Sequence, residues 1–250
     1  EAVDSNGLLP LRATDKVFSR AHDFRRFLQK HLAAHLSELS KQTPFQGFDL
    51  PNPPAIPREI LDRWPEATGS LLTGEPEHLE QLPIDHEVGP AAFAGGEVAA
   101  RRQLDNFMND RLDRYADGRN HPDDDASSGL SPYLHFGHLS AHEVFARISE
   151  REQWSPASLS NNAKGSREGW WGMSPEAESF LDELITWREV GYNRCALTDD
   201  FDKYGALPEW ARDTLQQHAV DPREHLYTLD EFETSQTHDE IGNAAQRQLV

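Results

Sequence analysis

The chain is poor in cysteine, in lysine and in long apolar runs, and each scarcity removes a class of protein. Cys195 is the single cysteine, so no internal disulfide framework can hold the fold, and the composition suits a reducing, cytoplasmic setting. No stretch approaches the roughly 18 consecutive apolar residues of a membrane span, so no membrane partner is expected. The opening Glu1-Ala2-Val3-Asp4 supplies neither the basic nor the apolar part of a secretory signal. Lysine occurs only at 16, 30, 41, 164 and 203, and the 24 basic residues face 43 acidic ones, for a formal charge of −19. Such a deficit opposes a surface built to neutralise phosphates, although a basic groove can persist locally within it. It fits an acidic surface adapted to salt, which stays hydrated while salt screens its self-repulsion.

What is present is mostly helical pattern. At 250 residues the chain can bury a substantial core in one large domain or two. Residues 7–13 read as a short strand with an internal Pro10. Over 17–39, Phe18, Phe24, Phe27, Leu28, Leu32 and Leu36 follow the spacing of an amphipathic helix. Pro51, Pro53, Pro54, Pro57, Pro65, Pro76, Pro83 and Pro90, interleaved with glycines, make 42–95 a linker with one short helix at 57–63. From Gly96 to Tyr115 helical spacing returns through Leu104, Phe107, Met108 and Leu112, and further helices are expected over 175–197, 208–218, 228–233 and from 237 onward. Trp170 and Trp171 fall in a Gly-rich loop, where they either fold over an apolar surface or offer stacking faces to bases.

Ser127, Ser128, Gly129, Leu130 and Ser131 precede Pro132 and an apolar pattern, which predicts a helix start. The first turn of a helix leaves N–H groups without partners and carries partial positive charge, so hydroxyls there can hold an anion. An ordinary N-cap has the same pattern. Glu183 and Trp187, four apart, share a helix face, with Arg188 about 100° further round. A surface charge cluster beside a core aromatic would look alike, and Tyr115 at its helical spacing reads equally as a packed core residue. Asp123, Asp124 and Asp125 lack the alternation and closing Glu of an EF-hand, and His135, His138 and His142 lack an H-E-x-x-H arrangement, so no metal site is predicted.

Three strings occur in order: YADGRNHP (115–122) leading into SGLSPYLHFGHLS (128–140), DELITWRE (182–189), and THDEIGNAAQ (237–246). Together they resemble the photolyase and cryptochrome flavoproteins, most closely the class II branch. The resemblance implies a mainly α fold: a helical FAD-binding domain over 96–250, C-terminally incomplete, preceded by the end of an α/β antenna domain at 1–41 and an interdomain linker at 42–95. On this reading the chain is a fragment, expected on its own to hold FAD weakly and to be inactive. The activity implied is light-dependent repair of cyclobutane pyrimidine dimers in UV-damaged DNA by electron transfer from reduced FAD, in a monomeric protein whose antenna chromophore is unspecified. Carried over residue by residue, Tyr115, Ser127, Ser128, Gly129, Leu130 and Ser131 meet the FAD phosphate region and Arg188 lies on the flavin side. Arg119 faces DNA, Glu183 hydrogen-bonds the lesion base and Trp187 walls the lesion pocket, the last two being the catalytic pair. A dimer flipped out of the duplex needs such a stacking surface and a polar group that reads its edge. Gly242 stands where class II members commonly carry a Trp of an electron-transfer chain. A blue-light photoreceptor without repair and a non-enzymatic helical interaction module are the alternatives.

Overall fold

The computed structural model describes residues 4, 6–36, 41, 43–89, 91 and 93–249, and the regular structure among them is entirely helical, as a mainly α fold requires. The chain divides into two compact units, Glu1–Gln46 with Phe93–Ala206, and Gly47–Ala92 with Leu207–Val250.

The first unit is built on two helical rods. One runs over 97–118 as an α-helix (Glu97–Asn106), a π turn (Phe107–Arg111), a 3-10 turn (Leu112–Arg114) and a last α turn (Tyr115–Gly118). The other runs over 175–197 as an α-helix (Pro175–Leu181), a π segment (Asp182–Trp187) and an α-helix (Arg188–Leu197). Ser174 starts the second rod, its Oγ accepting from the N–H of Ala177 at 3.3 Å, and Pro175 follows where its missing N–H is harmless. The rods meet through Phe107, Phe180 and Tyr115. Phe107 and Phe180 have ring centroids 4.6 Å apart, and Tyr115 stands edge-on to Phe180 at 5.2 Å. Phe107 is fully buried, and truncating such a side chain to Ala costs about 3–5 kcal/mol. The helix Ala141–Arg151, capped by Ser140, adds Val144, Phe145 and Ile148 to the same core. Trp170 and Trp171 are buried there too, against Phe145 and Trp154, with Trp154 Nε1 donating to the Trp171 carbonyl at 2.7 Å. Of their two expected roles, packing is the one realised.

The strand expected at 7–13 is not formed. Leu8 and Leu9 are buried, a 3-10 turn covers Leu11–Ala13, and the segment lies as a strap along the second rod. Side chains of the rod replace a neighbouring strand as its hydrogen-bond partners. Glu189 Oε1 accepts from Leu8 N at 2.6 Å and Oε2 from Leu9 N at 3.3 Å, while Asn193 accepts from Phe18 N at 3.1 Å and donates to the Lys16 carbonyl at 3.0 Å. A Cβ on Gly7 would lie 2.8 Å from Glu189 Cδ, so only glycine allows this approach. The helix expected over 17–39 is shorter, Ala21–His31 with a 3-10 turn Leu32–His35; residues 37–40 lie outside the described residues. It is tied to the rod by Arg25, whose Nε and Nη2 reach the two Asp182 oxygens at 2.6 and 2.9 Å in a buried bidentate pair.

In the second unit the Pro/Gly-dense segment carries short helices at Arg58–Arg63, Gly69–Leu72 and Pro76–Leu79, the first set where expected, directly after Pro57. Its C-terminal part holds Glu209–Gln217, Leu229–Glu233 and Glu240–Leu249, the middle helix closed by a reciprocal capping box between Thr228 and Glu231.

Burial pushes the Glu189 carboxyl up to about 7, against the N–H bonds from Leu8 and Leu9 and the charge of Arg188, which pull it down; Asp4 adds slightly to the rise. The folded chain therefore binds this proton more tightly than the unfolded chain. Glu189 favours folding most below the ordinary value of 4.5, and that contribution is lost as pH rises through about 7. Urea denaturation of wild type and Glu189→Gln across this range should show a difference that changes by up to about 3 kcal/mol, wild type losing ground as pH rises. A pH-independent difference would refute the assignment.

Candidate functional site

The crossing of the two rods brings together residues far apart in the chain. Arg119 follows directly on the last turn of the first rod, and Glu183 sits in the π segment of the second. Arg119 Nη1 lies 2.5 Å from Glu183 Oε1, and its guanidinium carbon is 5.4 Å from the centre of the Tyr115 ring. Burial alone would lower the Arg119 guanidinium, but its bonds to Glu183 and Tyr115 outweigh burial and raise it, so it is a fixed cation. Burial raises the Tyr115 hydroxyl, while contact with Arg119 and its charge pull it back. Tyr115 is thus both things the sequence allowed, a core ring and a polar contact, with Arg119 as its described partner. Arg119 Nε is buried without a hydrogen-bond partner.

Trp187, one α-type turn beyond Glu183 on the same rod, is 52% exposed. The core-aromatic reading therefore fails for it, and the indole offers a face to solvent. The π segment that carries both residues is wider than an α turn, a local departure that recurs at functional sites. Arg188 donates to the Asn6 carbonyl and stacks over Tyr192 at 4.8 Å, so its described contacts are with the strap and its own helix.

The segment 127–131 departs from the expected serine-capped helix start. The helix is only Ser131–His135, its N-cap is Leu130 with no side-chain cap, and Pro132 is its second residue. Residues of the first rod hold the loop instead. Gln103 Nε2 donates to the Ser128 carbonyl at 2.8 Å and Arg111 Nη1 to the Ser127 carbonyl at 3.3 Å, while Leu130 plugs the core at 1% exposure. Gly129 adopts φ +63°, and a Cβ there would lie 2.6 Å from Gln103 Nε2. Ser128 Oγ accepts from Leu130 N at 3.3 Å, whereas Ser127, Gly129 and Ser131 are exposed. Among the described residues the N–H groups of Ser127, Ser128 and Gly129 have no acceptor. A loop whose carbonyls are bound from beneath and whose N–H and hydroxyl groups stay available is suited to phosphate oxygens, so these residues fit the diphosphate of a dinucleotide.

Sequence reasoning passed over Gln103 and Arg111, because polar residues off the core face of an amphipathic helix carry no sign of which loop they grip. Asp124 and Asp125 pair with Arg114 at 2.5 Å and Arg111 at 2.7 Å, and His138 Nδ1 accepts from Gly96 N at 3.2 Å. Among the described residues no group of three or more His, Cys, Asp or Glu is placed to hold a metal ion, and no helix is long and apolar enough to cross a membrane.

No family model matches the chain. It is similar over nearly its whole length to individual proteins. It is 32% identical over 250 residues to the deoxyribodipyrimidine photo-lyase of Methanothermobacter thermautotrophicus, covering 99% of this chain and 47% of the relative. The enzyme of the same name from Oryza sativa subsp. japonica is 30% identical over 254 residues, 99% of this chain and 44% of the relative. That of Arabidopsis thaliana is 30% identical over 250 residues, 99% of this chain and 45% of the relative. The chain therefore spans just under half the length of these relatives.

Gly129→Ala combines an unfavourable backbone conformation with a close approach to Gln103, and should cost about 1–2 kcal/mol in chemical denaturation. Adding Gln103→Ala to Gly129→Ala removes the collision and leaves the backbone strain, so the second substitution should cost less there than in the wild-type background. Strict additivity would show that the loop does not rest on Gln103.

Proposed function

We propose, because the chain belongs to the photolyase family, that it takes part in light-dependent repair of cyclobutane pyrimidine dimers in UV-damaged DNA, as a cytoplasmic, monomeric flavoprotein. The observation that carries this reading is the meeting of Arg119, Glu183 and Tyr115 at the rod crossing, on the same rod as a half-exposed Trp187.

Ser127, Ser128 and Ser131 would hold the FAD phosphates together with the free N–H groups of the loop, while buried Leu130 and the Gln103 bond fix its backbone. Reduced FAD, when bound, supplies the electron that opens the cyclobutane ring. The remaining work is recognition by this chain. Trp187 gives a stacking face to a base that has left the duplex. Glu183 accepts an N–H from the base edge with the oxygen that Arg119 leaves free, and Arg119 fixes the orientation of that carboxylate. Tyr115 supports Arg119 from beneath, and burial of the pair strengthens both contacts. Arg188 is assigned to the flavin side and would act from its anchorage on Asn6 and Tyr192.

The test is a chimera in which this chain replaces the matching part of the Methanothermobacter relative. The chimera should retain flavin and repair a dimer-containing oligonucleotide under light. Glu183→Ala and Trp187→Ala should each lower repair roughly tenfold or more, at least about 1.4 kcal/mol, with flavin content unchanged. Loss of flavin in either variant would place that residue in the cofactor site, and a flavin-loaded chimera inactive in light would defeat the repair reading.

A further inference from the structure

The unit formed by Gly47–Ala92 and Leu207–Val250 contains a cavity of about 510 Å³ that the repair reading does not use. Its size falls within the range of small-molecule sites. Part of its wall is a row of rings. His225 and His238 have centroids 3.8 Å apart with planes 30° from parallel, and Tyr227 lies 5.7 Å from His238 with planes only 13° apart. The Tyr227 hydroxyl bonds His238 Nδ1, and Phe232 braces Tyr227 edge-on at 5.5 Å. The row is therefore held in a fixed stacking orientation.

Another part of the wall is one face of the helix Glu240–Leu249. Asp239, Gly242, Asn243 and Gln246 line the cavity at the i, i+3, i+4, i+7 spacing of a single helix face. This face is polar, while Ile241 and Leu249 of the same helix are more than 80% exposed. A packing defect would be lined by apolar side chains. Asn243 is fully engaged by Thr237, through bonds at 2.7 to 3.1 Å. The Gln246 amide has no partner among the described residues, which leaves two donors and an acceptor for something in the cavity. Gly242 presents no side chain, so that stretch of wall is open to a flat group.

A row of stacked rings, an open wall and a free amide together select a planar heteroaromatic ring with a hydrogen-bonding edge. Charge narrows the class. Glu224 and Asp239 border the cavity, and the cation there, Arg223, is turned to the carbonyls of Asp221 and His218 at 3.3 and 3.0 Å. Phosphate is disfavoured. We propose that this cavity binds an uncharged nucleobase presented as a free nucleoside, its ring extending the His225–His238–Tyr227 row and its edge read by Gln246. The site is independent of the repair assignment.

The experiment titrates the 250-residue chain with adenosine and with thymidine, following amide shifts by NMR, with adenosine monophosphate and oligo(dT) as further arms. Saturable binding with a Kd of roughly 1 mM, with shifts confined to 223–246, is expected for the nucleosides, and weaker binding for the monophosphate. His238→Ala removes the middle of the row and Gly242→Trp fills the open wall; each should weaken nucleoside binding about tenfold with helix content preserved. If Gly242→Trp fails to fold, His238→Ala carries the test. Absence of saturable binding, or unchanged affinity in His238→Ala, overturns the proposal. Tighter binding of oligo(dT) than of thymidine through the same residues overturns the nucleoside assignment in favour of a strand.

Discussion

A row of buried polar side chains on the 175–197 rod decides where the rest of the first unit lies. Glu178 accepts N–H groups from Gly169, Gly172 and Met173, Asp182 takes the Arg25 guanidinium, and Glu189 and Asn193 hold the strap that begins at Leu8. Each segment so held lacks a regular ladder of its own, and a buried N–H left without a partner costs about 1–3 kcal/mol. The rod is thus both the apolar centre of the core and the hydrogen-bond acceptor for its irregular chain. Glycine recurs at the points of contact because the backbone must come close. A Cβ at Gly172 would lie 2.7 Å from the Ser158 carbonyl, and one at Gly165 would lie 2.8 Å from that of His22.

The same accounting explains how an acidic chain keeps a site for anions. Most arginines of the first rod and its neighbours are already matched: Arg101 with Glu143, Arg111 with Asp125, Arg114 with Asp124, Arg147 with Asp105, Arg151 with Asp113. Such surface pairs contribute little stability each and weaken further in salt. They also absorb positive charge that would otherwise reach a phosphate. The loop at 127–131 therefore offers neutral donors, N–H and hydroxyl groups, whose strength depends less on ionic strength than that of a lysine would. Arg119 is different because Tyr115 and Glu183 partly enclose it.

The sequence disclosed those parts that depend on periodicity or on a local cap. The core positions Leu104, Phe107 and Leu112 and the helix after Pro57 are where spacing and proline place them. Leu8 and Leu9 misled because two apolar residues beside a proline look the same whether their N–H groups meet a strand or a distant carboxylate. Ser127 and Ser131 misled because a serine before a helical pattern advertises a cap, whereas here the loop is fastened by its carbonyls. The approach of Arg119 to Glu183 follows from how two rods cross, which no local pattern encodes. The ordered motifs named the residues, and the packing of Phe107 on Phe180 brought them together.

The π segment Asp182–Trp187 also governs what kind of change the chain can tolerate. A π turn holds one residue more than the α turn it interrupts, and every side chain beyond it is set by that surplus. Deleting one residue, Thr186 for instance, would let the helix close into regular α geometry and swing all that follows by about 100° about the rod axis. Glu189 and Asn193 would then turn away from the strap while Glu178 and Asp182 kept their partners. Substitutions in this stretch act locally, but a change of length is read out along the whole downstream half of the rod, so the segment works as a phase setting between two halves of one helix.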